Sequence, residues 1–422
     1  MIIHKALGLS FLATIARLIS GLIINKFVAL FIGPAGLAVI GQFQNFTSIA
    51  MTAAQAGTSQ GVIKLTSEYK SKGVNDELIS LLGSASRLIL LCSSGTGVGI
   101  IIFSDYLSTL ILHSNEYQFI FVIYGLVIPL FAINTFLLAV LNGLSYLKDW
   151  AYIVVIQSFY GVLITSGLIL FLSLEGALIA IATNQSLILF VTIWRFRLKS
   201  EADDILKLKN FITTQSNKQL SRVLKFSLMS LTSAIMVPGS LLYIRDYITT
   251  QIGPMEAGYW QGMWYISSIT IMIITTTLST YYLPKLSGIL NKTELTKEIA
   301  KCSLIFVPIT GVLCLAIFCL KDIIIVMLFS DEFMPMRLLF QWQLTGDFIK
   351  VMSFMIGYVT IAKAMTKTFI ALEVFGTLSL IGLTTLMIDT YGLIGVTYAY
   401  TLNYSLYLVV VTAIYSITRY EN

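Results

Sequence analysis

Charge is what this 422-residue chain is short of: Asp, Glu, Lys and Arg make up 11% of it, against about 25% in soluble chains. Hydrophobic residues make up 57%, and mean hydropathy is +0.86. A globule of this size in water must cover itself with polar groups that this sequence does not have, so the solvent for most of it is lipid. A cytosolic enzyme and a nucleic-acid-binding protein are thereby excluded. Histidine and cysteine are also scarce, at two and four residues. Cys92, Cys302, Cys314 and Cys319 sit in apolar runs without CxxC spacing, and only His4 and His113 could join them. They read as small core residues, not disulfides or zinc ligands, and no metal or cofactor is expected. There is no Walker sequence, HExxH or GxSxG, which argues against ATP as the direct driver and against hydrolysis. A cleavable signal is not expected either, because the first apolar run continues from Ala6 to about Phe31 and is long enough to span.

Long apolar runs are what the chain has instead. A hydrocarbon core of roughly 30 Å takes ~20 residues of helix, and twelve runs of that kind are expected near 6–32, 37–63, 82–103, 118–142, 150–172, 176–195, 223–247, 257–284, 299–320, 338–362, 369–388 and 393–417. They are continuous and rich in Leu and Ile, without the alternation of a lipid-facing strand, so an all-α membrane protein is expected and not a barrel. With a cytoplasmic N-terminus, 21 loop cations fall inside, against Lys321 and Arg337 outside. Both termini are therefore expected in the cytoplasm. The net charge of +6 then anchors topology. The four remaining cations, Arg17, Lys26, Arg245 and Lys350, fall within spans, where a charge costs at least ~2.5 kcal/mol unless it faces a wet cavity or a partner.

An internal repeat accompanies these runs. IGPAGLAVIGQ follows the first and IGPMEAGYWQG the seventh, and each is followed at similar spacing by KLT at Lys64 or KLS at Lys285. The chain therefore divides into two six-helix copies, 1–195 and 223–422, joined by a cytoplasmic linker at 196–222. Six spans return the chain to its starting side, so both copies insert in the same sense.

Taken with that repeat, the stretches WQLTGDFIKVMSFMIGYVTIAKA (342–364), GYWQGMWYISS (258–268), YYLPKLS (281–287) and IGPAGLA (32–38) resemble the Wzx polysaccharide flippases, over the whole chain. These belong to the multidrug/oligosaccharidyl-lipid/polysaccharide superfamily. The resemblance implies twelve helices in two pseudo-symmetric six-helix lobes forming a V-shaped cleft. It further implies a bacterial inner-membrane protein that moves undecaprenyl-diphosphate-linked oligosaccharide, an O-antigen or enterobacterial common antigen repeat unit, to the outer leaflet by alternating access. A polymerase and a chain-length regulator of the same pathway would be its neighbours. Two rival classes are an ion-coupled drug or cation antiporter of the same superfamily and a membrane O-antigen polymerase. The first wants carboxylates in its cleft; the second wants large catalytic loops, and the outer loops here are all under about 20 residues.

Under that resemblance the span cations would bind the diphosphate. Lys26 and Arg245 lie at matching depth before Gly33 and Gly253; each could instead snorkel, or Arg245 could pair with Asp246. Arg17 is nearer mid-span. It lies nine residues from Lys26, on the opposite face of an ideal helix, so either the helix bends around Gly21 or one cation is structural. Gln343, Asp347 and Lys350 share a face on the tenth span, where Asp347 and Lys350 are either a self-contained pair or a switch broken by substrate and proton. Glu373 is a second candidate acid for a coupling ion. Gln42, Asn45, Ser48, Thr52 and Gln55 form a polar face of the second span, suited to sugar hydroxyls or to helix contacts. Trp260, Trp264 and Tyr265 could stack on sugars or join an interfacial belt.

Overall fold

A computed structural model describes residues 2–200, 205, 217–289 and 291–418, and no strand occurs among the described residues. In chain order the helices are α1 (Ile2–Phe31), α2 (Gly33–Ala54), α3 (Ser59–Lys72), α4 (Asn75–Ile102), α5 (Ser104–Leu112), α6 (Gln118–Gly143), α7 (Leu147–Leu187), α8 (Leu189–Ser200) and α9 (Asn217–Gln251). They continue with α10 (Pro254–Thr277), a π turn at Leu278–Tyr282, α11 (Leu283–Gly288), α12 (Lys292–Cys319), α13 (Lys321–Leu328), α14 (Phe340–Ala362), α15 (Thr366–Tyr391) and α16 (Leu393–Ile417). Local chemistry sets these ends. Pro34 and Pro254 occupy the first turns of α2 and α10, where a missing N–H costs nothing. Asn291 caps α12 by accepting from the Thr293 N–H at 2.7 Å. Gly73 closes α3 in the left-handed conformation behind Lys70 and Lys72, cations that suit a helix C-terminus.

Contacts divide the chain into two compact units, one of Met1–Ile32 with Val39–Gly239, the other of Gly33–Ala38 with Ser240–Asn422. In the first, α1 packs along α7: Ala13 meets Ala151 and Val154, and Ser20 donates to the Ser158 carbonyl at 2.8 Å. Helices α4 and α6 cross where Gly97 and Gly125 bring the two backbones together; a Cβ on Gly97 would lie 2.4 Å from the Gly125 carbonyl oxygen. In the second, Val351, Met355 and Val359 of α14 pack against Ile271, Ile274 and Tyr282, and Tyr282 donates to the Met355 carbonyl at 2.6 Å. Large apolar side chains also face outward, Leu304 at 78% exposure and Phe171 at 87% among them. Hydrocarbon, not water, suits such a surface.

Backbone turns repeat between the two units. Ser145 and Ala364, 219 positions apart, both take positive φ, and each turn is closed by equivalent bonds: Tyr146 N to the Leu141 carbonyl, Met365 N to the Thr360 carbonyl. At the same offset Ser173 (φ 47°, ψ −123°) matches Gly392 (φ 62°, ψ −143°). Three residues on, Gly176 and Gly395 approach the carbonyls of Leu168 and Met387 so closely that no Cβ would fit. The repeat read from IGP and KLT/KLS is therefore also a repeat of chain reversals.

Eight described stretches are long and apolar enough to cross a membrane. One of them, Leu147–Lys199, is 53 residues long and holds both the 150–172 and 176–195 runs, separated at Ser173. The run expected over 37–63 is instead two helices: the chain turns through Gln55 to Thr58, with Ala56 and Gly57 at positive φ and Thr58 Oγ1 donating to the Gln55 carbonyl at 2.7 Å. Its counterpart after α10 passes through the π turn without breaking. Of the expected linker, 201–204 and 206–216 lie outside the described residues.

The reversal at Ser173 leads to a testable asymmetry. Its φ and ψ lie in a region that glycine enters freely and other residues enter at a cost of about 1–3 kcal/mol, and the second copy has glycine there. Ser173→Gly is expected to raise thermal stability in detergent by roughly 1 kcal/mol, and Gly392→Ser to lower it; the same sign for both substitutions would show that this reversal is not strained.

Candidate functional site

In the first unit a cavity of about 440 Å³ opens among α1, α2, α3, α6 and α7. Arg17 lines it from α1, Gln55 from the turn after α2, Ser59 and Gln60 from the start of α3, Thr135 and Asn142 from α6, and Trp150, Gln157 and Gln185 from α7. The broken second span positions part of this lining, because the turn at Gly57 carries Gln55, Ser59 and Gln60 to one wall. Ser59 donates to Gln55 Oε1. Arg17, Gln60, Asn142, Gln157 and Gln185 have no side-chain partner among the described residues. No carboxylate is among the described residues that line it. An unpaired guanidinium surrounded by neutral amides is built to receive an anion with hydroxyl groups close by.

Helix α1 runs unbroken through Gly21, so of the two alternatives, a break there or one structural cation, the break is absent. Arg17 is exposed to the cavity, whereas Lys26, farther along the same helix, is half-buried and has its own interactions. Gln42 and Asn45 are not part of the lining; Gln42 is buried and Asn45 half-buried. Of the polar face expected on the second span, Gln55 is the member that reaches the cavity.

A second polar cluster lies in the other unit. Arg245 on α9 is 1% exposed; its guanidinium donates to Gln261 and lies over the Trp260 ring, 5.4 Å from the centroid. Trp260 is itself buried, at 2%, which takes it out of both a sugar platform and an interfacial belt. On α14, Gln343 and Asp347 are fully buried. Asp347 Oδ1 accepts from Ser267 Oγ at 2.6 Å and from Tyr400 Oη at 2.8 Å, and Oδ2 has no partner. Gln343 Nε2 donates to Ser267 Oγ at 3.3 Å, and its Oε1 has no partner. Lys350 Nζ donates to Tyr400 Oη at 3.3 Å and is ringed by Trp264, Phe354, Tyr400 and Tyr404, with Tyr404 closest at 4.7 Å to the centroid.

Asp347 and Lys350 thus share the helix face expected of them but form no direct ion pair; a phenol bridges them. Tyr400 can reach in because Gly346, one residue before Asp347, has no side chain: a Cβ there would lie 2.4 Å from the Tyr400 ring. Glu373 is half-buried on α15 near Tyr407. Sequence reasoning missed Tyr400 and Ser267 as partners of Asp347, and Asn142, Gln157 and Gln185 as cavity residues. Lone amides inside apolar runs were the available signal for the second group.

No family model matches the chain. It is 27% identical over 407 residues to the lipid III flippase of Escherichia coli, covering 96% of each chain, and equally so to the lipid III flippase of Shigella flexneri. Among solved structures it is similar to an inward-facing multidrug resistance MATE family transporter of the MOP superfamily, with a TM-score of 0.73 and 16% identity over 95% of this chain and 94% of that one. Its fold is that of the MOP superfamily transporters. The lipid II flippase MurJ, in an inward closed conformation, also matches with a TM-score of 0.73 and 15% identity, over 97% of this chain and 87% of that one. The resemblance to Wzx flippases carried by the WQLTGDFIK block therefore holds along nearly the whole chain, and the curated relatives are named as transporters, not enzymes. Within this MOP fold, Arg17 stands open to a cavity and Arg245 is enclosed by protein.

That difference separates their expected phenotypes. Arg245→Ala removes a long buried side chain and leaves Gln261 Oε1 without its donor, a loss of about 2–4 kcal/mol, so its melting temperature in detergent should fall. Arg17→Ala, which breaks no hydrogen bond or ion pair among the described residues, should melt within about 0.5 kcal/mol of wild type. A destabilised Arg17→Ala beside an unaffected Arg245→Ala would reverse these assignments.

Proposed function

We propose that this chain carries oligosaccharides linked through a diphosphate to undecaprenol from the cytoplasmic to the periplasmic leaflet of the bacterial inner membrane. The observation that supports this best is the unpaired Arg17 in an amide-lined cavity without carboxylates. A diphosphate cannot enter hydrocarbon unpaired, and a guanidinium meets it with two parallel N–H donors. At an effective dielectric of ~20, one such charge pair at ~4 Å gains about 4 kcal/mol. Gln60, Asn142, Gln157 and Gln185 offer both donors and acceptors, which matches sugar hydroxyls, and Trp150 offers an aromatic wall. The names of the curated relatives agree with this class of cargo.

The finer picture has twelve spans in two six-helix lobes, both termini in the cytoplasm, and alternating access of the binding cavity to the two sides. The repeated chain reversals support it, as does the sequence's cation pattern, since this topology would put 21 loop cations on the cytoplasmic side. The head group would ride in the cavity while the polyprenyl tail stays in lipid. The cargo would be an O-antigen or enterobacterial common antigen unit, passed on to a polymerase and chain-length regulator. Export of organic cations, suggested by the likeness to multidrug transporters, is disfavoured by the cavity's sign: a lone cation and no acid repel such a substrate.

The test is reconstitution in liposomes with a short-chain polyprenyl-diphosphate oligosaccharide, reading how much glycan a lectin outside can reach. Wild type should equilibrate the leaflets, and Arg17→Ala should slow this at least tenfold, with Arg17→Lys between, since charge returns without the fork. Extrusion of a cationic dye under a proton gradient, with no glycolipid movement, would favour the antiporter.

A further inference from the structure

The cluster around Asp347 holds two unmet acceptors on one helix face. Gln343 and Asp347 are one turn apart on α14, both fully buried, and Gln343 Oε1 and Asp347 Oδ2 both lack a donor. A single proton on Oδ2 would turn the unmet acceptor of Asp347 into a donor, one helical turn from the unmet acceptor of Gln343. The other groups facing Asp347 are Ser267 from α10, Cys314 from α12, Tyr400 from α16 with Tyr404 behind it, and Lys350 from its own helix. Lys350 is the positive charge among them, and it has no carboxylate within ion-pair distance among the described residues. Its hold on Asp347 passes through the Tyr400 hydroxyl, which accepts from Nζ and donates to Oδ1.

We infer that Tyr400 ties proton occupancy of Asp347 to anion occupancy of Lys350. This rests on the diphosphate reading of the substrate. With Asp347 ionised, the phenol is polarised toward Oδ1, and its oxygen becomes a good acceptor for the ammonium, which stays within its four rings. When a proton from water binds Oδ2, the negative charge that held the phenol is gone. Lys350 then keeps only aromatic faces and a weakened acceptor, and an entering phosphate oxygen outcompetes them. In reverse, an anion that draws Lys350 away leaves Asp347 without its compensating cation and favours its protonation. Tyr400 is a positioning residue here: it transmits between two groups and need not touch the substrate. Tyr400→Phe keeps the ring that packs at Gly346 and the wall of the lysine cage, and deletes only the transmitting hydroxyl.

The test follows the Asp347 carboxyl by infrared pH titration of the full chain in lipid nanodiscs, with Asp347→Asn identifying the band. The probe is farnesyl diphosphate, its binding measured separately by calorimetry. Saturating probe should raise the wild-type midpoint by about one pH unit, and linkage then requires about tenfold tighter probe binding below that midpoint. In Tyr400→Phe the band and probe binding should both persist while the shift falls below about 0.2 units. Probe binding to wild type without a shift, an equal shift in Tyr400→Phe, or no Asp347 band at any pH each overturns the linkage while leaving the flippase reading intact. Failure of the probe to bind wild type at all would defeat the diphosphate reading and this linkage with it.

Discussion

A charge that cannot reach water must meet a partner, and this fold is arranged around that constraint. Four cations fall within its apolar runs, and each is treated differently. Arg245 is enclosed by Gln261 and the Trp260 ring. Lys350 is held by a phenol and four aromatic faces. Lys26 is half-buried with interactions of its own. Arg17 alone of the four faces a cavity with nothing bonded to it among the described residues. Insertion of a charge costs ~2.5–3.5 kcal/mol, similar to what one phosphate partner returns at intermediate dielectric. A site of this kind is stable when wet, and under the proposed function the anionic substrate would supply its missing partner.

The helices serve that site by breaking where a continuous span would not help. The turn through Ala56 and Gly57 brings Gln55, Ser59 and Gln60 to the cavity wall. The corresponding place in the second copy is crossed by the π turn at Leu278–Tyr282, and Tyr282 anchors to α14 in its place. Two copies of one chain path thus differ in structure at this point: the first opens a polar pocket, and the second buries a polar network. The reversals at Ser145 and Ala364, and at Ser173 and Gly392, are unchanged between them, so the scaffold repeats while its lining does not.

Much of this scaffold was legible in the sequence because lipid makes demands that composition records directly. Apolar run length, cation placement and the IGP repeats pointed to helices and a two-copy chain, and the stretches around WQLTGDFIK carried the resemblance to the Wzx flippases. The candidate residues were legible as types and depths, since four cations in hydrocarbon are conspicuous. Their partners were not. Whether Arg245 meets protein and Arg17 meets a cavity depends on which helices lie beside α9 and α1, and one-dimensional spacing carries no such information. Asp347 and Lys350 sit at helical spacing that invites a direct pair; Tyr400, 50 residues beyond Lys350, intervenes because Gly346 lets α16 approach. Gln42 and Asn45 share the apparent polar face of the second span, but the break at Gly57 leaves Gln55 as its member at the cavity.

The most direct measurement of anion selection by the Arg17 cavity compares calorimetric affinities of the purified chain for one prenylated glycan presented with a diphosphate, a monophosphate or an uncharged ether linkage. Affinity should fall by about tenfold or more at each loss of charge, and Arg17→Gln should flatten that series while the glycan contacts persist. Equal affinity for all three linkages in wild type, or an unchanged series in Arg17→Gln, would contradict the assignment of Arg17 as a residue that receives the diphosphate.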